Sequence, residues 1–475
     1  MTSLLVALED RLHELSDQNQ ALAAAFPGDS GERQPTHVVY GGAHLFKAEL
    51  AQKLGRGALK TIEAYAPHPL SMARALRYGG DRRWDTLDEA AFDRLASQDD
   101  EILRREDRSL WVVKTAYERM VAKCKSEPVE DFRIDFEDGY GYRSDDEEDA
   151  TCDSAAAEVA RGLQEKSLPP FIGIRIKSLA GDTAARGLRT LERFVGALLN
   201  KSDGLLPSGF VVTLPKVNAT LQVDILVDAL EWLENKHNLE AGTLELELMA
   251  ELPGTFLGPD GRVLLPELVK AAKGRCRGVH FGTYDYTAAC DITAHHQTMA
   301  HDSCTIAKWF MQNSLAATGV FLSDGATNVM PVGPNKGKES PLTDAQKAEN
   351  EAVIYDAWRL SARHIEQSLA SGIYQGWDLH PAQLPIRYFT TYAFFLEGFE
   401  ATAVRLRNFV EQAARATLVG DVFDDAATGQ GLLNYFLRGL SCGAVGEEDI
   451  PRTGLTRDEI ATRSFLKILE GRKRP

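Results

Sequence analysis

At 475 residues, the chain is long enough for one large domain with appended segments or for two or three ordinary domains. Hydrophobic residues make up 44% and charged residues 26%, which is typical of a folded protein and not of a disordered one. The formal net charge of −16 is unfavourable for binding to nucleic acid, which requires a basic face. Binding of a small anionic ligand is compatible with this net charge, because the charges that line a pocket can oppose the electrostatic field of the whole protein.

The sequence gives no sign of a membrane segment or an export signal. No apolar run approaches the roughly 18 residues of a membrane span, and the start, MTSLLVALEDRLHEL, carries acids where a signal peptide carries basic residues. The six cysteines are scattered and include no CxxC pair. We therefore expect a cytoplasmic protein with reduced thiols, no zinc site and no membrane partner.

In chain order, the first predicted element is a helix within residues 1–35, which ends in the polar hinge PGDSGERQP. The first strand, THVVY, is followed by Gly41 and Gly42. The pattern is then helical up to residue 128, which is too long for an ordinary crossover, so we expect a helical insertion at about 60–128. A second helical region is predicted at 388–475.

From residue 132 onward, strands alternate with helices, which is the pattern of parallel strands joined by right-handed crossovers. Eight such units favour an α/β fold of the (β/α)8 TIM barrel type over residues 36–387. A doubly wound sheet is the alternative, but no Gly-x-Gly-x-x-Gly follows the first strand. The predicted strands are Thr36–Tyr40, Phe132–Phe136, Phe171–Ile176, Phe210–Leu214, Leu244–Met249, Val279–Asp285, Gly319–Leu322 and Ile373–Leu379.

Ionisable residues recur at the carboxyl ends of seven of these eight strands. In a β/α barrel those ends form one rim, and substrates bind there. Charged groups that recur in phase with the strands therefore indicate a functional rim. They are Asp135, Glu137 and Asp138 after strand 2, Arg175 and Lys177 after strand 3, Lys216 after strand 4, Glu251 after strand 5, Asp285 after strand 6, Asp324 after strand 7, and Asp378 and His380 after strand 8.

Two of the rim acids predict a metal site. Glu251 and Asp285 come from adjacent strands, which brings them within coordination distance of one ion. Mg²⁺ prefers oxygen ligands and keeps several waters, so two carboxylates suffice; Mn²⁺ is the alternative. We expect Glu137 and Asp138 to bind the waters of the metal. Arg175 would bind a substrate carboxylate through its planar guanidinium.

Each of these residues also has a structural interpretation. Acids that follow strands often cap the next helix, which applies to Asp138, Glu251 and Asp324. Arg175 and Glu137 could form a structural ion pair.

Two further features of the rim leave their roles open. Lys216 is expected to stabilise the fold as a partner of the acids after strand 2. The loop after strand 6 contains His295, His296 and His301, and the last two are five residues apart instead of the four of a helical metal site. Substrate contact, metal binding and ordinary loop polarity are all compatible with this loop.

The motifs DFEDG, GIRI, LPKV, MAELP, FGTYD, SDG and LHPAQ occur in this order, and together they resemble the citrate lyase β-subunit and malyl-CoA lyase family, the HpcH/HpaI aldolase group. Malate synthases are more distant relatives. The resemblance runs from about residue 36 to 383. It implies a Mg²⁺-dependent barrel that cleaves or forms a carbon–carbon bond of a small 2-oxo or hydroxy acid through an enolate. It also implies that a CoA thioester is a candidate substrate, and that the protein is a homo-oligomer built through C-terminal segments.

The resemblance implies roles for individual residues. Glu251 and Asp285 match the metal-binding carboxylates, and Arg175 matches the arginine that steadies an enolate oxygen or a substrate carboxylate. Asp324 is a candidate for an acid–base role. The residues implied on the substrate side are Glu137, Asp138, Lys216, Gly282 and His380.

One departure from the family pattern concerns the C-terminal region. Thioester-using relatives carry an Asp-Gly there, whereas GQGLLNYFLRGLSCGA contains no acid and is preceded by Asp421, Asp424 and Asp425. Our main expectation is an aldol-type lyase. The alternatives are a condensing enzyme like malate synthase and a barrel that binds a metabolite without turnover.

Overall fold

The structure is a computed structural model that describes residues 3–337, 341–413 and 426–473. Eight parallel strands pair in chain order, and the last pairs with the first, so the sheet closes into a barrel. The predicted (β/α)8 fold is confirmed. The strands are β1 (His37–Gly42), β2 (Asp131–Asp135), β3 (Phe171–Arg175), β4 (Phe210–Leu214), β5 (Glu245–Ala250), β6 (Cys276–Phe281), β7 (Phe321–Ala326) and β8 (Gln375–Trp377).

Two helices precede the barrel, and six lie between β1 and β2. Helices α3 and α8 of the inserted region pack against each other, and both contact the long helix that follows β8. The insertion therefore forms part of the helical layer around the barrel. These helices are α1 (Leu4–Ala7), α2 (Glu9–Ala25), α3 (Leu50–Tyr65), α4 (Pro69–Leu76), α5 (Arg83–Thr86), α6 (Glu89–Ala96), α7 (Asp100–Glu106) and α8 (Arg108–Ser126).

The remaining helices connect successive strands and then extend the chain beyond the barrel. They are α9 (Asp145–Glu165), α10 (Ala184–Lys201), α11 (Thr220–His237), α12 (Pro253–Phe256), α13 (Leu265–Ala271), α14 (Thr283–Ala289), α15 (Asp302–Leu315), α16 (Asp344–Ala370), α17 (Leu384–Ala413), α18 (Ala426–Ser441), α19 (Arg457–Ala461) and α20 (Phe465–Lys473). None of the helices formed by the described residues is both long and apolar enough to cross a membrane.

The described part of the C-terminal region packs on its own chain. Helices α17, α18 and α20 share a second apolar core that includes Phe399, Leu433 and Phe465. Arg438 on α18 donates to Gln34, directly before β1, so this helix covers the end of the barrel at which the strands begin. Asp421, Asp424 and Asp425 lie outside the described residues.

Strand β5 shows an alternation of apolar and polar residues. On β5, Leu246 and Leu248 are buried against the helical layer, while Glu247 lies between them on the other face. Glu247 contacts Arg133 of β2, which is not a neighbouring strand, so the two side chains meet across the barrel interior. Period-2 alternation on a fully enclosed strand thus directs one set of side chains outward and the other inward.

The barrel interior contains a buried charge network that the sequence analysis did not predict. Arg133 pairs with Asp131 on its own strand and, at 2.6 Å, with Glu247. His280 lies 2.9 Å from the same Glu247 carboxylate. Burial alone would raise the pKa of Glu247, but Arg133 and His280 hold it well below its usual range. This network stabilises the barrel only while its charges stay paired.

Candidate functional site

Four carboxylates surround one lysine at the carboxyl-terminal rim of the barrel. The Nζ atom of Lys216, just after β4, lies 2.5 Å from Glu137, 3.1 Å from Asp138 and 3.7 Å from Asp285. The backbone N–H of the same residue donates to Oε1 of Glu251 at 2.7 Å. The structure therefore brings together five residues that the sequence analysis placed on the rim.

Lys216 reaches these partners from an unusual backbone conformation. Its φ of 54° lies in the left-handed region, which costs a residue with a Cβ roughly 1–2 kcal/mol. Burial alone would lower the pKa of the ammonium, but Glu251 and Glu137 hold it well above its ordinary value. The lysine is therefore a permanent cation among the rim acids.

Glu251 is the most deeply buried acid of the cluster, with 1% of its surface exposed. Burial raises the pKa of its carboxyl to about 7, and the neighbouring Asp285 and Glu137 add to the rise while Arg175 and Lys216 oppose it. Helix α12, which follows, is preceded by Leu252 and has no side-chain cap. The capping interpretation of Glu251 is therefore wrong, since its carboxylate accepts from Lys216.

Gly282 leaves the space that Glu251 occupies. A Cβ at position 282 would lie 2.4 Å from Cβ and 2.6 Å from Oε2 of Glu251, which is too close for any other residue. The Gly282 N–H donates to the carbonyl of Ala250 at 3.2 Å, which joins the ends of β5 and β6. The structure thus gives this glycine a positioning role toward Glu251.

Asp285 reaches the cluster from a helix and not from a strand. The predicted strand 6 extends to this residue, but β6 ends at Phe281 and Asp285 lies in the first turn of α14. Gly282 alone lies between β6 and α14. An acid in the first turn of a helix is favourably placed by the helix dipole, and the Asp285 side chain is 38% exposed.

Glu137 and Asp138 differ in their environments although they are adjacent. The Glu137 side chain is 11% exposed and lies 3.5 Å from Nη1 of Arg175, whereas that of Asp138 is 55% exposed. Burial raises the pKa of Glu137 despite the opposing charge of Arg175. Asp138 does not cap α9, because Ser144 occupies the cap position.

Arg175 is buried at the end of β3, where its guanidinium is bound on one side. Nε and Nη2 donate to the two carboxylate oxygens of Asp135 at 2.7 Å and 2.5 Å. Nη1 is directed elsewhere, 3.4 Å from the Met249 sulfur and 3.5 Å from Glu137. Arg175 thus makes with Asp135 the pair of hydrogen bonds that it was expected to make with a substrate carboxylate. Nη1 is the atom that faces the rim acids.

Two aromatic residues flank Arg175 that the sequence analysis did not single out. The guanidinium carbon lies 4.9 Å from the ring centre of Tyr40 and 5.7 Å from that of Trp377, within range of cation–π attraction. The Tyr40 hydroxyl and the Trp377 indole N–H are buried without a hydrogen-bond partner among the described residues. Buried polar groups are normally paired, so these two are exceptions beside Arg175. In the sequence, only the alternation of residues on β1 and β8 indicates these two aromatic side chains.

Asp324 lies behind the rim and not within the acid cluster. Its Oδ2 accepts from Nζ of Lys308 at 2.9 Å and from Ser368, which belong to α15 and α16. Those helices pack outside the barrel, so the carboxylate faces away from the interior. The residue lies inside β7 and caps no helix. Its contacts are those of a buried structural ion pair.

Two of the four histidines named in the sequence analysis cap helical elements. His380 accepts from the Ala382 N–H at 3.1 Å and so caps the short 3₁₀ turn Pro381–Gln383 at the rim. His301 accepts from the Ser303 N–H and caps α15. His295 and His296 are exposed on their loop.

The acid cluster fits a divalent cation of the magnesium type. Its donors are carboxylate oxygens, which Mg²⁺ prefers, and one or two suffice because the ion keeps several waters. Mutual repulsion among Glu251, Asp285 and Glu137 contributes to the raised pKa of Glu251, and a cation would relieve it. No three His, Cys, Asp or Glu side chains in the described parts of the chain form a ready-made metal cage. Glu251 and Asp285 are therefore the candidate ligands.

Residues 15–468 match the profile of a family described as "Domain of unknown function (DUF6986)". The chain belongs to this family. No curated protein matches the sequence of this DUF6986 member.

Solved structures similar to this DUF6986 chain include the following three. A citrate lyase from Burkholderia xenovorans LB400 has a TM-score of 0.51 at 17% identity, over 72% of this chain and 93% of that one. The citrate lyase β subunit of M. tuberculosis, in complex with oxaloacetate and magnesium, has 0.34 at 16%, over 58% and 92%. A magnesium/glyoxylate complex of Haloferax volcanii malate synthase has 0.38 at 15%, over 78% and 94%. At this identity the first likeness shows a shared fold, and the other two scores are too low to support an argument.

Proposed function

We propose that this protein is a Mg²⁺-dependent carbon–carbon lyase that acts on a small 2-oxo or hydroxy acid. The observation that carries the proposal is the cluster of four carboxylates at the substrate-binding rim, with Arg175 beside it. The fold shared with a citrate lyase supports the same reaction class. The motif resemblance to the citrate lyase β-subunit family points the same way.

The proposed roles follow from the contacts at the rim. Glu251 and Asp285 would hold the metal, which when bound supplies Lewis-acid stabilisation of negative charge on a carbonyl oxygen. Gly282 leaves room for the Glu251 carboxylate, and the Lys216 N–H fixes its orientation. Because Asp138 is half exposed, it would contact waters at the outer edge of the site.

Arg175 and Glu137 would act on the substrate itself. Burial alone would lower the pKa of Arg175, but Asp135 holds it well above its ordinary value, so Nη1 carries a permanent charge toward a substrate oxygen. Glu137 lies between this atom and Lys216, at 3.5 Å and 2.5 Å. From that position it would accept the hydroxyl proton during cleavage, or the proton of the nucleophile in the reverse direction.

Metal binding by the purified protein tests the proposal first. Calorimetric titration with MgCl₂ and MnCl₂ is expected to show binding that Glu251→Gln weakens at least tenfold. Glu245→Gln is the matched control, because Glu245 lies at the other end of β5 and pairs with Arg277. Normal metal binding by Glu251→Gln would exclude the proposed site.

Turnover is tested by incubation with a panel of 2-oxo and hydroxy acids, with and without a CoA thioester, and NMR detection of products. Cleavage that requires Mg²⁺ and is lost in Asp285→Asn is the expected result. Release of free thiol from acetyl-CoA and glyoxylate would identify the condensing direction. Metal binding without turnover on any member of the panel would favour a metabolite-binding barrel instead.

A further inference from the structure

The helices that precede the barrel expose a line of apolar side chains. Each apolar side chain in this line has at least 43% of its surface exposed, and neither α1 nor α2 contains a buried residue. No part of the chain that the structure describes covers this line. We call it the amino-terminal seam, and its members are Leu5, Leu8, Leu12, Leu15, Asn19, Leu22 and Phe26.

The spacing of the seam is that of a coiled coil. Its members alternate at intervals of three and four residues, a mean period of 3.5, which places leucines at the a and d positions of a heptad. A surface helix that packs on its own domain shows instead a broader stripe with a period of 3.6. The pattern runs from Leu5 to Phe26, and its continuous helical part is α2, since the backbone at Leu8 separates α1 from α2 and Phe26 follows the end of α2.

Asn19 interrupts the leucines at an a position. A single asparagine at a specifies a two-stranded coiled coil in one register, because its side chain meets the same amide in the other helix. An isolated helix of 17 residues, the length of α2, is also marginal in water without a partner. Both features indicate a helix that pairs with its own copy.

We propose that α1 and α2 pair with the same segment of a second copy of this chain in a parallel, in-register, two-stranded coiled coil. The charges flanking the seam are compatible with this pairing. In a parallel pair Arg11 would face Ser16 of the other helix, and Glu9 would face Leu4. No like charges oppose each other across the seam, and Arg11 already pairs with Glu14 of its own helix at 2.7 Å.

A groove on the surface of the same chain is an alternative binding site for the seam. A surface groove of about 780 Å³ between α13 and α15 exposes Ile306 and Trp309, which are 57% and 67% exposed. Helix α2 could reach it, because the Gly28 N–H donates to the carbonyl of Ala317 directly after α15. In the groove, however, most of the lining is apolar, and the Asn313 amide that lines it already donates to the carbonyl of Trp309. A buried Asn19 amide would therefore lack the dedicated partner that a second Asn19 supplies, which is costly for a polar group. Asn19 therefore favours self-pairing.

The oligomeric state of the full chain tests the proposal. Light scattering coupled to size-exclusion chromatography is expected to show that Leu15→Glu/Leu22→Glu halves the mass of the assembly. Ala24→Glu, on the outer face of the same helix, is the matched control and is expected to leave the mass unchanged. The thermal unfolding midpoint should be the same for both variants, because α2 buries no residue in its own chain. An unchanged mass in the double variant would overturn the proposal.

Cross-linking tests the register and separates the two occupants. Under mild oxidation, Leu15→Cys is expected to form a disulfide-linked dimer in higher yield than the wild-type chain or Ala24→Cys. A parallel in-register pair brings the two copies of a d position together. If Leu15→Cys gives no such dimer, the parallel in-register coiled coil is excluded. If Trp309→Glu alone halves the mass, the groove of one copy and not its seam holds the second copy, and the coiled coil is likewise excluded. Neither readout depends on the proposed lyase activity.

Discussion

Lys216 binds Glu251 through its backbone N–H, 2.7 Å from Oε1, and leaves its ammonium free to contact the other rim acids. One residue therefore fixes the direction of the deepest carboxylate and neutralises its neighbours. The ammonium occupies a position among acids that would otherwise attract a divalent cation. The Lys216 ammonium and a metal ion would thus compete for the same carboxylates, and metal affinity measures this competition.

Lys216→Met is expected to raise Mg²⁺ affinity roughly tenfold, because the competing ammonium is removed while the backbone N–H to Glu251 remains. Without Mg²⁺ the variant is expected to lose on the order of 1–3 kcal/mol of stability, since the acids are left without a counter-ion. Calorimetry and thermal unfolding with and without MgCl₂ measure both effects. Lys236→Met, which removes an exposed lysine paired with Glu192, serves as the control. Equal affinities for the two variants would contradict the prediction.

Gly282→Ala is expected to abolish high-affinity metal binding and to destabilise the fold by roughly 1–3 kcal/mol. The added methyl group would overlap the Glu251 side chain, which cannot move without losing its hydrogen bond. Gly278→Ala tests the same substitution earlier on β6, where the nearest atom to the new Cβ is 3.5 Å away. Urea unfolding and metal titration should separate the two variants. Similar behaviour of both would show that Gly282 is not specific to Glu251.

Arg175→Lys is expected to lower kcat/KM for the proposed cleavage about 100-fold, the usual effect of losing one charged donor at a developing negative charge. Lysine cannot bind Asp135 with two hydrogen bonds and still present an N–H toward Glu137. Arg277→Lys is a matched control, since Arg277 also pairs with an acid and lies over an aromatic ring, far from the rim. A comparable loss in both variants would indicate a structural effect.

Arg133→Met is expected to cost about 3–5 kcal/mol of unfolding free energy, because Asp131 and Glu247 lose the guanidinium that they share inside the barrel. Adding Glu247→Gln to this variant removes one of these acidic charges and should recover part of the loss. Urea unfolding of the two single variants and the double variant completes a double-mutant cycle. Additive effects would show that the two residues do not interact.

Mild acidification is expected to lower the stability of the folded protein because of His364. The residue is buried between Thr298 and Thr327, and burial lowers its pKa from 6.5 to about 4. Between these values the unfolded chain binds a proton that the folded chain does not, so stability falls as the pH drops from 6.5 toward 4. The full effect is up to about 3 kcal/mol. The difference in unfolding free energy between wild type and His364→Gln should therefore depend on pH over this range, and a difference that is constant with pH would contradict the prediction.

The pattern of the sequence was sufficient to predict the barrel and to place most of the rim. β5 shows why, since its leucines, its terminal acid and the following Pro-Gly mark a strand and its end without any tertiary information. The pattern could not show which face of β7 turns inward, because FLSDGA has no apolar alternation, and Asp324 accordingly faces the helices instead of the rim. The Asp135–Arg175 pair depends on the register between β2 and β3, which places these residues opposite each other. Register is a property of two strands, so neither strand alone predicts it.

The hydrogen bond from Gly28 to Ala317 fixes where the amino-terminal helix leaves the barrel. Ala317 precedes β7, so the carboxyl end of the amino-terminal helix lies at the end of the barrel at which the strands begin, opposite the rim acids. The amino-terminal helix is therefore joined to the barrel at a point away from its mouth, and substitutions at this junction should leave the diffusion of small molecules to the rim unobstructed.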